Sequence, residues 1–198
     1  MMVNMREQEI LKHYENAGAL LNGHFVLSSG RHSARYLQSA KVLMHPKIAS
    51  ELAVQLARLA TEPEVDLVIS PALGGLIIGH EVARALDKPF IFTERQQGEM
   101  CLRRGFSITD GSRVLVVEDV VTTGGSVREC IDVVRAHGGQ PTQVLALVDR
   151  APGVGERFDV PFSSLVQLEV PTFSPDACPL CDAGELPAIK PGSRFETA

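Results

Sequence analysis

Apolar positions follow two different rhythms along the chain. In the first 60 residues they are spaced or alternating: Ile10, Leu11, Tyr14, Ala17 and Leu20 fall near one helical face of an amphipathic opening helix over residues 5–20. Residues 23–29 and 34–39 are short strand-like runs around a turn at 29–33, which reads as a hairpin. Pro46 suits a first helical turn, and Ile48, Leu52, Leu56 and Leu59 then repeat at helical spacing to about residue 60. From residue 65 the apolar runs become continuous, at 65–70, 89–93, 114–117 and 144–148, as expected of strands buried on both faces. Helical patterns separate them at 76–86 and 127–137, the second closing at Gly138 and Gly139. This alternation predicts an α/β fold, a doubly wound, mostly parallel sheet with flanking helices. Ligands of such sheets bind beyond the carboxyl ends of the strands, where the turns after Ser70, Thr93, Asp119 and Val148 all lie.

Composition narrows the picture. A chain of 198 residues is long enough for one domain with a sizeable core and short for two. Hydrophobic residues make up 44% and charged residues 22%, ordinary globular values. No run approaches the ~18 apolar residues of a membrane span. The segment Met1-Met2-Val3-Asn4-Met5-Arg6-Glu7-Gln8-Glu9 is too polar and acidic for a signal or transit peptide, so a cytoplasmic location is expected. A net charge of −5, with the basic residues scattered, speaks against general nucleic-acid binding.

The chemistry concentrates at 114–127, V-L-V-V-E-D-V-V-T-T-G-G-S-V. An apolar strand ends there in two acids, Glu118 and Asp119. Thr122, Thr123, Gly124, Gly125 and Ser126 follow and lead into a helix. Small residues at a helix N-terminus bind phosphate through backbone N–H groups and the helix dipole. Paired carboxylates at a strand end hydrogen-bond vicinal hydroxyls or hold a divalent metal. Together the two halves fit a phosphorylated sugar. Neither a Walker A loop nor a dinucleotide fingerprint is present. Residues 94–108 are polar, glycine-punctuated and carry Arg95, Arg103 and Arg104. Such a segment is either a mobile surface hairpin or a lid over a phosphate substrate. Among the four cysteines only Cys178 and Cys181 show a spacing, C-P-L-C; a zinc site would need two further ligands that the tail lacks, so no metal site is expected. Residues 171–198 contain five prolines and read as an extended tail packed on the surface.

The run E-D-V-V-T-T-G-G-S resembles the phosphoribosyl pyrophosphate (PRPP) motif of type I phosphoribosyltransferases. Four further stretches resemble the orotate phosphoribosyltransferases among them: Leu27-Ser28-Ser29-Gly30-Arg31-His32-Ser33, Ser70-Pro71-Ala72-Leu73-Gly74-Gly75, Thr93-Glu94-Arg95, and Asp149-Arg150 after a strand. One branch of that family also shares the C-P-L-C tail. The resemblance implies a single domain over 1–198, with a core of about 41–154, a hood from about 1–40 and 155–198, and a lid of about 94–108. It implies transfer of ribose 5-phosphate from PRPP to orotate, with magnesium carried by PRPP rather than by a dedicated protein site. Glu118 and Asp119 would take the ribose hydroxyls, Val120, Val121, Thr122, Thr123, Gly124, Gly125 and Ser126 would form the 5′-phosphate loop, and Ala72, Leu73, Gly74 and Gly75 would form the pyrophosphate turn. Arg95, Arg103 and Arg104 would neutralise the leaving group. Arg150 would meet the orotate carboxylate, with Tyr36 and Thr122 beside the base. Family enzymes are dimers whose lid reaches the neighbour's site, so a homodimer is implied. Another base-specific phosphoribosyltransferase, or a non-catalytic PRPP sensor, is the alternative. The sequence departs from the best-known family pattern at Ser28, at Leu73-Gly74 and in the lid, where Gln, Glu, Met and arginines stand in place of lysines and a histidine.

Overall fold

A computed structural model of the chain describes residues 7–27, 30–61, 64–151 and 157–190. The hairpin-turn residues Ser28 and Ser29 and the tail beyond 190 lie outside the described residues. Helix α1 (Glu7–Asn16) buries Ile10 and Tyr14. It is shorter than its apolar spacing suggests, because Gly18 turns the chain at φ 58° and Leu20 already belongs to a strand. Strands β1 (Leu20–Val26) and β2 (His32–Leu37) form the expected antiparallel hairpin. A four-residue helix, α2 (Ala40–Leu43), precedes α3 (Pro46–Ala57). The order is then β3 (Leu67–Pro71), α4 (Gly75–Leu86), β4 (Phe90–Gln96), β5 (Glu99–Leu102), β6 (Arg113–Val121), α5 (Gly125–Ala136), β7 (Gln140–Asp149), β8 (Phe162–Gln167), β9 (Thr172–Phe173) and α6 (Pro179–Ala183).

Six strands form one sheet in the order β5-β4-β3-β6-β7-β8. All its pairings are parallel except the β4–β5 hairpin. The continuous apolar runs are explained by what covers each face. Leu115, Val117, Leu145 and Leu147 point into a core with Ile10, Tyr14, Leu52, Leu56 and Ile78, supplied by α1, α3 and α4. Their neighbours Val114, Val116, Val144 and Ala146 point the other way, onto Val127, Ile131 and Val134 of α5. With both faces buried, successive residues of a central strand are all apolar and no alternation survives.

A second, three-stranded sheet, β1-β2-β9, shares no strand with the first and packs Leu20 and Leu37 against its core. Two expectations change here. Phe162–Gln167, assigned from sequence to the hood, pairs in parallel with β7 and belongs to the central sheet. The proline-rich tail is not merely laid on the surface: β9 pairs with β2, and the Val26 N–H donates to the Ile189 carbonyl at 2.8 Å. The tail also brings Cys178 and Cys181 against His24 and His32 of the hairpin. The C-P-L-C pair therefore does have two further donors nearby, supplied from the other end of the chain.

Candidate active site

The site is built where β6 leaves the apolar core. Glu118 is only 7% exposed, and burial, reinforced by the neighbouring Asp119 charge, pushes its carboxyl well above the ordinary carboxylate range. The Asp119 N–H donates to Glu118 Oε1 at 3.1 Å, and the Val120 N–H donates to Asp119 Oδ1 at 2.8 Å. The strand does not stop at the acids, as the sequence suggests. It continues to Val121, with Val120 opposite Val148 and Val121 opposite Asp149, because parallel pairing with β7 is still available. The turn after β3 closes over the two carboxylates. A Cβ at Gly74 would stand 2.5 Å from Asp119 Oδ1, and one at Gly75 would stand 3.0 Å from Glu118 Oε1, so only glycines let the turn approach this closely. The Ala72–Leu73 peptide within it is cis, and Leu73 is 83% exposed.

Thr122, Thr123 and Gly124 carry the chain from β6 into the 12-residue helix α5. Gly124 has φ +77°, and a Cβ there would lie 2.8 Å from the Phe158 ring. The loop carbonyls face away from the helix end. Arg157 donates to the Thr122 carbonyl at 3.1 Å, and Arg128 donates to the Thr123 carbonyl at 2.8 Å. The 122–126 loop stands at the N-terminus of α5, where backbone N–H groups and the helix dipole favour an anion. A cavity of about 340 Å³ sits there, lined by Arg95, Glu118, residues 120–127 and Glu129. A larger hollow of about 540 Å³ lies at the opposite, amino end of the strands around Asp66, Pro89 and Asp110. It lacks both the loop and the helix terminus.

Arg157 was not singled out from the sequence. It forms a buried two-pronged pair with Asp149, one contact being 2.7 Å, and its guanidinium lies over the Phe162 ring, 4.9 Å from the centroid. The available signal is that it is the only Lys or Arg between Arg150 and Lys190. Because Arg157 occupies Asp149, Arg150 is not paired with its neighbour. Arg150 is 8% exposed, and its Nε and Nη2 have no hydrogen-bond partner among the described residues. Burial lowers its proton affinity from the ordinary arginine range, an effect partly offset by the nearby Tyr36 phenol. The backbone N–H of Arg150 donates to the Val121 carbonyl at 2.8 Å, which holds its backbone against the end of β6. Tyr36 is half-buried and packs against Phe25 at 5.7 Å between ring centroids.

The segment predicted as a lid is a hairpin, β4–β5, turning at Gln97 and Gly98, both with positive φ. Arg95, on β4, lines the loop cavity and pairs with Glu129 of α5 at 2.6 Å. Arg103 and Arg104 lie beyond β5. Arg104 grips Glu94 through Nε at 2.9 Å and Nη2 at 3.1 Å and lies over Phe92, while Arg103 is 3.9 Å from the same carboxylate. Neither lines the cavity around the loop.

The phosphoribosyl transferase domain family matches residues 39–165. An orotate phosphoribosyltransferase of Desulforamulus reducens is 50% identical over 190 residues, 96% of this chain and 98% of that protein. One from Sphingopyxis alaskensis is 53% identical over 197 residues, 98% and 100% of the two chains. This chain belongs to the orotate phosphoribosyltransferase family. The crystal structure of the Aeropyrum pernix orotate phosphoribosyltransferase shares 33% identity and a TM-score of 0.64 over 80% of this chain and 93% of that one. Of the residues that the family motifs mark, the fold gathers Arg95, Glu118, Asp119, the 120–126 loop and the 72–75 turn at one end of the sheet, with Arg150 and Tyr36 beside them. Arg103 and Arg104 stay with Glu94. No helix among the described residues is long and apolar enough to cross a membrane.

Proposed function

We propose that the chain transfers the ribose 5-phosphate group of PRPP to orotate, giving orotidine 5′-phosphate and pyrophosphate, as a soluble cytoplasmic enzyme. The observation that carries this reading is Arg150, a buried guanidinium at the rim of the 120–126 loop whose Nε and Nη2 have no hydrogen-bond partner among the described residues. An unpaired buried cation costs several kcal/mol unless a ligand completes it, and a carboxylate on a flat ring matches its fork. Orotate supplies that carboxylate, and Tyr36 and Thr122 flank the ring.

Displacing pyrophosphate from C1 leaves positive charge on the ribose and negative charge on the leaving group, so the site must supply fixed electrostatics and exclude water. The loop amides at 122–126 hold the 5′-phosphate. Glu118 and Asp119 accept hydrogen bonds from the 2′ and 3′ hydroxyls and oppose the charge developing on the sugar. Burial and the Asp119 charge raise the proton affinity of Glu118 in the empty site, and positive charge developing on the sugar opposes that shift. The 72–75 turn and Arg95 hold the pyrophosphate. A buried and a half-buried carboxylate that repel one another suit a nearby divalent ion, and magnesium bound to PRPP beside Glu118 and Asp119 would neutralise the leaving group.

Arg103 and Arg104, held on Glu94 and away from their own loop, act on the neighbouring subunit's site in a homodimer. The lid of about 94–108 thus belongs to a catalytic unit that takes in the whole chain, 1–198. Incubation with PRPP, magnesium and a panel of bases tests the assignment. Orotate is expected to be consumed with release of pyrophosphate. Conversion of a purine or of uracil in preference, or PRPP binding without turnover, would overturn it.

A further inference from the structure

We propose that His24, His32, Cys178 and Cys181 form a structural site for a single zinc ion, clamping the C-terminal tail to the hood hairpin. This goes beyond the proposed transfer reaction and is independent of it. The four ligand atoms lie within 4.8 Å of one another. His24 Nε2 is 2.8 Å from His32 Nδ1, and 3.8 and 3.7 Å from Cys178 Sγ and Cys181 Sγ; Cys181 Sγ is 3.3 Å from His32 Nδ1. Tetrahedral zinc, with Zn–N near 2.0–2.1 Å and Zn–S near 2.3 Å, requires N–S separations of about 3.5 Å and an N–N separation of about 3.3 Å. The observed thiol–imidazole spacings bracket the first value. The two imidazoles need to part by only about half an ångström to meet the second.

The surroundings favour a metal over a loose polar cluster. His24 is 3% and Cys178 1% exposed, so two of the donors are removed from water. The other ring nitrogen of His24, Nδ1, lies 3.2 Å from the Leu186 carbonyl, to which it donates when Nε2 is the ligand. That outer contact is the one that fixes the tautomer and aim of a zinc-bound imidazole. The backbone N–H groups of Cys181 and Asp182 donate to the Cys178 carbonyl at 3.0 and 3.1 Å, making the tight C-x-x-C turn that presents two thiols to one point. Two nitrogen and two sulfur donors select zinc among common divalent ions, and carboxylates, which magnesium or calcium would need, are not among the four. A two-iron cluster would divide the ligands between two metal ions, which so compact a donor set does not allow. Binding converts both thiols to thiolates and releases their protons to solvent, so the loaded site is neutral.

The site answers a structural need. Strand β9 has two residues and α6 five, too few to hold the tail by themselves. His32 starts the strand that carries Tyr36, so the ion would anchor the wall on the base side of the active site.

The test is elemental analysis of the untagged full-length protein, grown with added zinc and purified under reducing conditions. About one zinc per chain is expected. Cys181→Ser and His32→Ala should each weaken retention by more than the ~10–100-fold that loss of an outer contact costs, while Cys101→Ser keeps full metal content. Cobalt exchanged into the wild-type protein should show visible bands of a tetrahedral ion and a thiolate charge-transfer band, a readout that stands even where a variant fails to fold. Wild-type protein holding less than ~0.1 zinc per chain after reconstitution, a Cys178–Cys181 disulfide in the purified protein, or full zinc retention by Cys181→Ser would each overturn the proposal.

Discussion

Replacing Arg150 by alanine isolates the residue on which base recognition is argued to rest. Two guanidinium nitrogens of this 8%-exposed side chain are without partners among the described residues, so a two-pronged contact is open to a ligand carboxylate. A hydrogen bond to a charged group contributes about 1.5–3 kcal/mol, and each 1.4 kcal/mol is tenfold. Arg150→Ala should therefore lower kcat/KM for orotate by about 10- to 100-fold. Turnover of uracil, which lacks the carboxylate, should hardly change, so the ratio of the two collapses. Arg150→Lys keeps the charge and loses the fork, and should fall between. The same argument constrains stability. A buried cation whose Nε and Nη2 no described group completes costs the empty fold stability, so the alanine variant should be at least as stable as wild type, by up to a few kcal/mol. Steady-state kinetics with both bases, PRPP affinity measured without base, and denaturant titration check the three parts. Loss of PRPP affinity with an unchanged preference for orotate would refute the assignment and place Arg150 in the phosphate machinery.

Further expectations follow from the neighbouring groups. The Glu118 carboxyl, lifted above its ordinary value of 4.5 by burial and then by Asp119, binds a proton in the folded state that the unfolded chain releases. Stability should thus fall as pH rises from about 4.5 through the folded pKa, and Glu118→Gln should flatten that slope in denaturant titrations across pH; an identical slope in the variant would contradict it. Gly124→Ala puts a Cβ at φ +77° and 2.8 Å from Phe158, so it should cost at least ~1 kcal/mol and weaken PRPP binding; calorimetry with wild-type PRPP affinity would refute the cradle. Arg157→Ala strands the buried Asp149 carboxylate and frees the Thr122 carbonyl, with an expected loss of about 3–5 kcal/mol of folding stability. A loss under ~1 kcal/mol would mean that the pair is dispensable. Mixing inactive Arg104→Ala and Asp119→Asn chains should restore activity in hybrid dimers; no rescue, with subunit exchange demonstrated, would count against a shared site.

What the sequence revealed follows from how locally each feature is determined. β3, β6 and β7 were legible because burial on both faces writes itself as unbroken aliphatic runs. The glycine turn into α5 was legible because a left-handed Gly124 and a helix start leave a local signature. The extension of β6 past Asp119 was not, since only pairing with β7 carries an acidic segment onward as strand. Leu20 has the right spacing for α1, but Gly18 intervenes, and period alone does not register a turn. Arg157, the Glu94 grip on Arg103 and Arg104, and the meeting of His24 and His32 with the tail cysteines are tertiary events, in which residues distant along the chain choose one another.

The hood's third strand has a bearing on the order in which the chain can fold. Arg31 meets Thr172 across 141 positions of sequence, and β9 follows every strand of the central sheet. The central sheet can be complete once Gln167 has emerged, but β1 and β2 then have only each other as hydrogen-bonded strands, and a two-stranded sheet is weak. Contacts of such long separation form late because loop closure must precede any reward. On the ribosome the β6–α5 loop is thus available to form while the strand that carries Tyr36 still awaits its partner β9. Errors, truncations or fused partners at the C-terminus should accordingly strike base recognition before they strike the phosphate-binding core.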